Sequence, residues 1–389
     1  MIPIIQHKLT NWVDGMKIQK EHFVNSENAM LDAVRDTSAQ YLTNFNFGLL
    51  YPAPGDKKSL DITILRSQSD NFKISVSLCR AVTAGGSRIE IMPQYDEEIV
   101  CEDKIESIAN SGSKGKNTHT SYFAVITVDY FNRVPTGNPS PDEAPPRNPF
   151  SKPRYELHLI AEEDAAPGNF SAFHFPVAKF KFKAKELALD DTYIPPCAVI
   201  QAYPSMIQLY KNVGGSLNKL QEYSTEIVQK VIGKSQNSVL AQNIKKLSEN
   251  NARYISSIFF KLRLVLTQLP PVFLAEVASQ LANEIKLTFD FMPEKEKEEM
   301  LTYFKEWNQI SPAAFSELLG EVIDLEYDHN NIYESFVPVI NLLARLTELF
   351  EKLSQLDLIG KRQQKDIFVR EMNVDDGKPV KKKGFNLLD

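Results

Sequence analysis

The residues best suited to chemistry lie far apart and do not converge on a reaction. Six histidines (His7, His22, His119, His158, His174 and His329) are scattered without metal-ligand spacing, and no HExxH helix is present. Gly233-Lys234-Ser235 resembles the end of a phosphate-binding loop, but that motif needs a glycine at position 228, where Val228 stands. No G-x-S-x-G elbow appears. Lys179-Phe180-Lys181-Phe182-Lys183 puts lysines on one face of a strand and aromatics on the other. That pattern would suit a phosphate-holding, base-stacking strand, yet it also suits an edge strand guarded by lysines with its aromatics in the core. The second reading is preferred. The remaining cluster is Trp12, Asp14, Gly15, Met16, His22 and Phe23. Its aromatics read as packing residues, because large rings mostly bury apolar area.

The elements that must position these residues fall into two blocks. Phe23, Met30, Val34 and Tyr41 recur at helical spacing within residues 18–43. After Gly48 the period changes to two: Leu60, Ile62 and Ile64, then Phe72, Ile74, Val76 and Leu78, with Gly85-Gly86 as a hairpin turn before Ile89 and Ile91. Tyr122 to Phe131, Tyr155 to Ile160, Phe173 to Phe182 and Cys197 to Tyr203 continue the series. About eight short strands separated by turns predict an antiparallel sandwich or jelly roll. Seven prolines between Pro135 and Pro153 predict a long extended loop, since each lacks a donor.

From Pro204 onward the pattern is helical. Met206, Tyr210, Val213, Leu217, Leu220, Ser224, Ile227 and Val231 alternate at spacings of 4 and 3. Leu240, Ile244, Leu247, Asn251, Tyr254 and Ile258 form a second set, and Phe273, Val277, Leu281, Ile285 and Phe289 a third. Ser311-Pro312 opens a short helix. Ile332, Phe336, Val339, Leu343, Leu346, Phe350 and Leu353 mark the last long one. A 3.5-residue period sustains left-handed packing of long, nearly parallel helices; at 1.5 Å per residue a helix over 206–231 is about 39 Å long. The bundle closes either within one chain or between copies, and Ser224 and Asn251 on the seams are suited to fixing register. The expected fold is α+β: a shell over residues 1–200 with a leading helix, a helical neck over 201–358, and a short basic tail over 359–389.

The 389 residues carry a net charge of −6, with 21 basic and 25 acidic residues before position 200 and 23 and 25 after it. No part has the basic excess of a nucleic-acid binder. Three cysteines, an odd count with no close pair, give no disulfide framework and point to a reducing cytosol. The N-terminus lacks a signal peptide's apolar core. The longest uncharged apolar stretch, Val337 to Ala344, falls far short of the roughly 20 residues that span a bilayer. A soluble, non-enzymatic protein without cofactor or metal is expected.

Trp12-Val13-Asp14-Gly15-Met16 with His22-Phe23 resembles the opening signature of the TssK family, baseplate subunits of bacterial type VI secretion systems. Tyr155-Glu156-Leu157, Tyr193-Ile194-Pro195-Pro196 and Tyr327-x-His329 follow in the family's order, so the resemblance covers roughly residues 1 to 358. It implies a homotrimer with three parts: a shell like phage receptor-binding proteins that contacts the wedge subunits TssF and TssG, a trimerising helical neck, and a head that docks the membrane complex. The opening motif would then be partner-contact surface, and the seam residues would pack within and between protomers at a cytoplasmic, inner-membrane-associated baseplate. After Leu358 only 31 residues remain, where the family has a folded head of domain size. Head-mediated docking onto TssL or TssM is therefore not expected of this chain. A free-standing receptor-binding or adhesin module is the alternative reading of the same shell.

Overall fold

The structure is a computed structural model that describes residues 3–66, 71–104, 121–165, 170–183 and 186–360. Helix α1 (Lys20–Ala39) precedes β1 (Gly48–Leu49), β2 (Leu60–Arg66), β3 (Asn71–Val82), β4 (Arg88–Ile91), β5 (Ile99–Lys104), β6 (Ser121–Thr136), β7 (Phe150–Ala161), β8 (His174–Lys183) and β9 (Glu186–Leu189). The helices then follow: α2 (Pro204–Gly233), α3 (Val239–Phe260), α4 (Val272–Asp290), α5 (Glu294–Asn308), α6 (Pro312–Ile323) and α7 (Ile332–Gln355). The fold is α+β.

All pairings between the strands are antiparallel, in two sheets. In the first, Cys79 of β3 pairs both Leu60 of β2 and Ile91 of β4, and Ile74 pairs both Ile64 of β2 and Cys101 of β5. A strand has only two edges, so β1 and β2 lie end to end on one side of β3 and β4 and β5 on the other. The second sheet runs β7-β6-β8-β9. The first half of β6, as far as Val128, is buried on both faces, which removes the alternation a half-exposed strand would show. Tyr122, Ala124, Ile126 and Val128 join the main core. Phe123 and Val125 pack the opposite face with Tyr193.

Several expectations are corrected. Cys197 to Tyr203 is not a strand: Cys197 makes a single bridge to Leu49, and Ile200–Ala202 is a 3-10 turn. The proline segment is not all loop, for β6 runs through Pro135 and β7 includes Pro153. These prolines are tolerated because β8 pairs β6 only as far as Thr127, and Pro153 sits at the register shift between Asp129 and Val134. Strand β8 is not an edge, because β9 covers it; Lys179 is buried against Glu162 (2.7 Å) and Lys181 reaches Asp190 (2.9 Å). Helix α5 went unread, since its Glu-Lys-Glu-Lys-Glu-Glu start hides the apolar spacing of Met300 and Phe304. Most of the basic tail, residues 361–389, lies outside the described residues.

The helical seams are buried within the single chain. Met206, Val213, Leu217, Leu220 and Ile227 of α2 are inaccessible or nearly so, as are Ile332, Phe336, Leu343, Leu346 and Phe350 of α7. Tyr210 is half-buried, and its hydroxyl donates to the Leu262 carbonyl. One continuous apolar cluster runs from the sheets, through Leu49, Ile194 and Cys197, into the bundle as far as Ile359.

Candidate assembly surface

The opening motif builds a turn and a helix start. Met16 N–H donates to the Val13 carbonyl at 3.1 Å, and Gly15 has φ +80. A glycine at the third position of such a turn supplies the positive φ that an L side chain resists. His22 caps α1: its Nδ1 accepts from the Gln19 N–H at 3.1 Å, and its carbonyl accepts from the Thr10 hydroxyl at 3.0 Å. Trp12 stands 6.0 Å from the His22 ring and 6.1 Å from Phe23. Asp14 is exposed and Met16 half-buried. Trp12, His22 and Phe23 therefore stand together at the outer surface, and Asp14, Gly15 and Met16 belong to the turn between Trp12 and the helix.

Trp12 and Phe23 are not core residues, contrary to the packing expectation. They are 52% and 56% exposed, and Met30 and Val34 on the same stripe of α1 are 61% and 65% exposed. The helix is turned over: it buries Asn28, Ala29, Asp32, Arg35 and Ala39 and presents its large apolar side chains outward. Tyr41, just past the helix, and Val13 and Ile18, just before it, are also exposed.

A buried ionic clasp holds the helix this way round. Arg35 donates to Asp32 Oδ1 from Nη2 at 2.7 Å and from Nε at 3.0 Å. Its remaining donors reach the Gly85 carbonyl at 3.2 Å and the Pro3 carbonyl at 3.3 Å. Asp32 Oδ2 accepts from the N–H groups of Gln6 (2.6 Å) and His7 (3.0 Å). Burial by itself would raise the Asp32 pKa, but the hydrogen bonds from His7, Arg35 and Gln6 outweigh it and hold the carboxyl below its ordinary value. Gly86 (φ +84) packs under the helix, where an added Cβ would stand 2.7 Å from the Arg35 carbonyl. Arg133 of the β6–β7 hairpin reaches Glu27 and Asn28 at 2.8 and 3.1 Å. The sequence reading missed Asn28, Asp32 and Arg35, although their own 4-3 spacing gives a second, polar stripe.

Two further motif segments, far apart in sequence, meet where the shell joins the bundle. Tyr193 hydroxyl donates to the Asn330 carbonyl at 2.9 Å. His329 Nε2 lies 2.8 Å from the Phe47 carbonyl and its Nδ1 2.9 Å from the Tyr327 hydroxyl. A carbonyl only accepts, so Nε2 carries the proton and Nδ1 accepts from Tyr327. Burial lowers the His329 pKa to about 4, against the opposing pull of the Phe47 bond. Among the described residues no group of three or more His, Cys, Asp or Glu side chains could hold a metal ion, and no helix is long and apolar enough to cross a membrane.

These features define an α+β molecule, a β-sandwich shell hydrogen-bonded to a helical bundle, whose most distinctive surface is an apolar helix face aimed at solvent. Its fold is that of TssK. A crystal structure of TssK superposes with a TM-score of 0.53 at 17% identity, over 87% of this chain and 69% of that one. TssK in a cryo-electron-microscopy TssK–TssF–TssG baseplate subcomplex matches at 0.49 and 16%, over 88% and 100% of the two chains. TssK from the EAEC type VI system, bound to a nanobody, matches at 0.48 and 14%, over 83% and 99%. No family model and no curated protein matches the sequence.

Proposed function

We propose that this chain is a structural, non-catalytic subunit of a type VI secretion baseplate that assembles as a homotrimer. Wedge subunits of the TssF/TssG kind are its partners, met through the shell, and the machine's cytoplasmic side is its location. The observation that carries this reading is α1, whose polar face is clasped to the shell while Phe23, Met30 and Val34 face outward beside the exposed Trp12. Clustered exposed large apolar side chains mark interaction surfaces, whereas single ones need no explanation. The TssK-like fold supports the identity of the machine, and the pairing of TssK with TssF and TssG in a solved subcomplex supports the partners.

The test combines mass in solution with co-purification. A trimer at micromolar concentration that retains a wedge complex is expected. Phe23→Asp and Met30→Asp should weaken wedge retention at least about tenfold while leaving the fold intact, because each lies at an exposed position. A strict monomer that binds glycans and ignores wedge proteins would instead favour the adhesin reading of the shell.

A further inference from the structure

The outer edge of β7 carries a ladder of backbone groups that no strand covers. The Glu162 N–H donates to the Ser121 carbonyl at 3.0 Å, and the β6–β7 register continues from that pair through Tyr122 and Ala161. In an antiparallel pair only alternate residues exchange hydrogen bonds, so Arg154, Glu156, His158 and Ile160 turn their N–H and C=O groups to β6. Val128 agrees with this phase, because its N–H goes the other way, to the Phe173 carbonyl. Tyr155, Leu157 and Leu159 therefore point their backbone groups away from β6, and among the described residues no strand pairs that side of β7. Pro153, which has no N–H, ends the ladder at one end. At the other end the Ala161 carbonyl is taken by the N–H groups of Asp164 and Ala165.

A groove of about 460 Å³ runs beside this edge. Strand β5 of the other sheet contributes Ile99 and Val100 to it, and Val134 lines it too. Val100 is 38% exposed, and Lys152, also at the groove, is paired with Asp96. The outer face of β7 is charged or polar at every second residue: Arg154, Glu156 and His158 are all exposed. The edge thus offers three N–H and three C=O groups at strand spacing, apolar side chains within the groove, and an ordered row of charge outside it. Only another extended chain complements all three, because its own backbone repeats at the same pitch.

We propose that the β7 edge takes an extended segment of another protein as an added antiparallel strand. Its apolar side chains alternate into the groove, and its charged ones run acid, base, acid opposite His158, Glu156 and Arg154. Main-chain bonds supply the affinity and the side chains set the register. The antiparallel sense follows every other pairing in the shell. A second copy of β7 fits less well. Centred on Glu156 it sets like charges together; centred on Tyr155 it sets Pro153 against Leu157; centred on Leu157 it leaves Arg154 opposite Ile160. The groove shares no residue with the exposed face of α1, so its test stands apart from the baseplate reading.

The probe is the capped peptide Thr-Val-Glu-Ile-Lys-Val-Glu, fluorescently labelled and titrated with the full chain by anisotropy, alongside residue-resolved hydrogen exchange. In the protein alone, the amides of Tyr155, Leu157 and Leu159 should exchange at least about tenfold faster than those of Glu156 and His158, and slow when peptide is added. N-methylation of the peptide's Val and Ile amides, which face β7, should abolish binding, whereas N-methylation of its Glu and Lys amides should not. Glu156→Lys, at an exposed position, should weaken binding about fivefold, and a peptide with Glu in place of Lys should restore it. No binding at millimolar peptide, binding indifferent to which amides are methylated, or failure of the charge-swap rescue would overturn the proposal. So would amides of Tyr155, Leu157 and Leu159 that are already slow in the protein alone because copies pair with one another.

Discussion

His329 shows how a single side chain ties two layers together, because its ring is bonded on both sides by groups from different parts of the chain. Its pKa is depressed in the folded state to about 4, from an ordinary value near 6.5. The unfolded chain therefore takes up a proton that the folded protein refuses between those values. Stability from the neutral ring is complete above about pH 6.5 and is lost as pH falls towards 4, a loss of roughly 3 kcal/mol. His329→Gln, which can still donate to Phe47, should flatten that part of the profile; urea titrations of both proteins from pH 7 to 4.5 would measure the difference. Asn251 is the counterpart inside the bundle. It is fully buried, and neither amide atom has a partner, as is also true of the Ser224 hydroxyl. A buried unpaired polar group costs about 1–3 kcal/mol, so Asn251→Leu should raise the unfolding free energy measured in urea by about that much.

At the scale of elements, α1 and α7 both carry apolar stripes and use them in opposite ways. The α7 stripe is sealed between α2 and its other neighbours, so Leu346→Asp should cost more than about 4 kcal/mol and disrupt the bundle. The α1 stripe is held outward, so Val34→Asp should change thermal stability by less than about 0.5 kcal/mol in the isolated chain. Paired melting curves would separate the two cases. By contrast, Asp32→Ala leaves a buried guanidinium uncompensated and two N–H groups unpaired. It should destabilise the shell by several kcal/mol, although it removes no apolar contact.

Across the whole molecule, the shell and bundle share one core rather than meeting at a hinge. The joint is narrow at Gly48, where φ is +114 and an added Cβ would lie 2.3 Å from the Pro196 carbonyl oxygen. Gly48→Ala should therefore cost at least about 3 kcal/mol, and it should loosen shell and bundle together in hydrogen exchange. Independent unfolding of the two parts would contradict a common core.

The order of the blocks, the hairpin at Gly85-Gly86 and the seams of α2 and α7 were legible in the residues alone. Period 2 and period 3.5 are consequences of backbone geometry and survive any tertiary context. The leading helix was legible too, from the helical spacing of Phe23, Met30 and Val34. Which way α1 faces was not. Its apolar and polar stripes are both periodic, and only the distant partners Gly85, Pro3 and Arg133 make the polar one the buried face. Strand β8 was misplaced for a related reason: whether a strand is an edge depends on what pairs beside it, which no local pattern records. Local sequence determined where the elements lie, because that is set by short-range sterics and spacing; the fold decided which face of each meets water, because that depends on groups brought together from a hundred residues away.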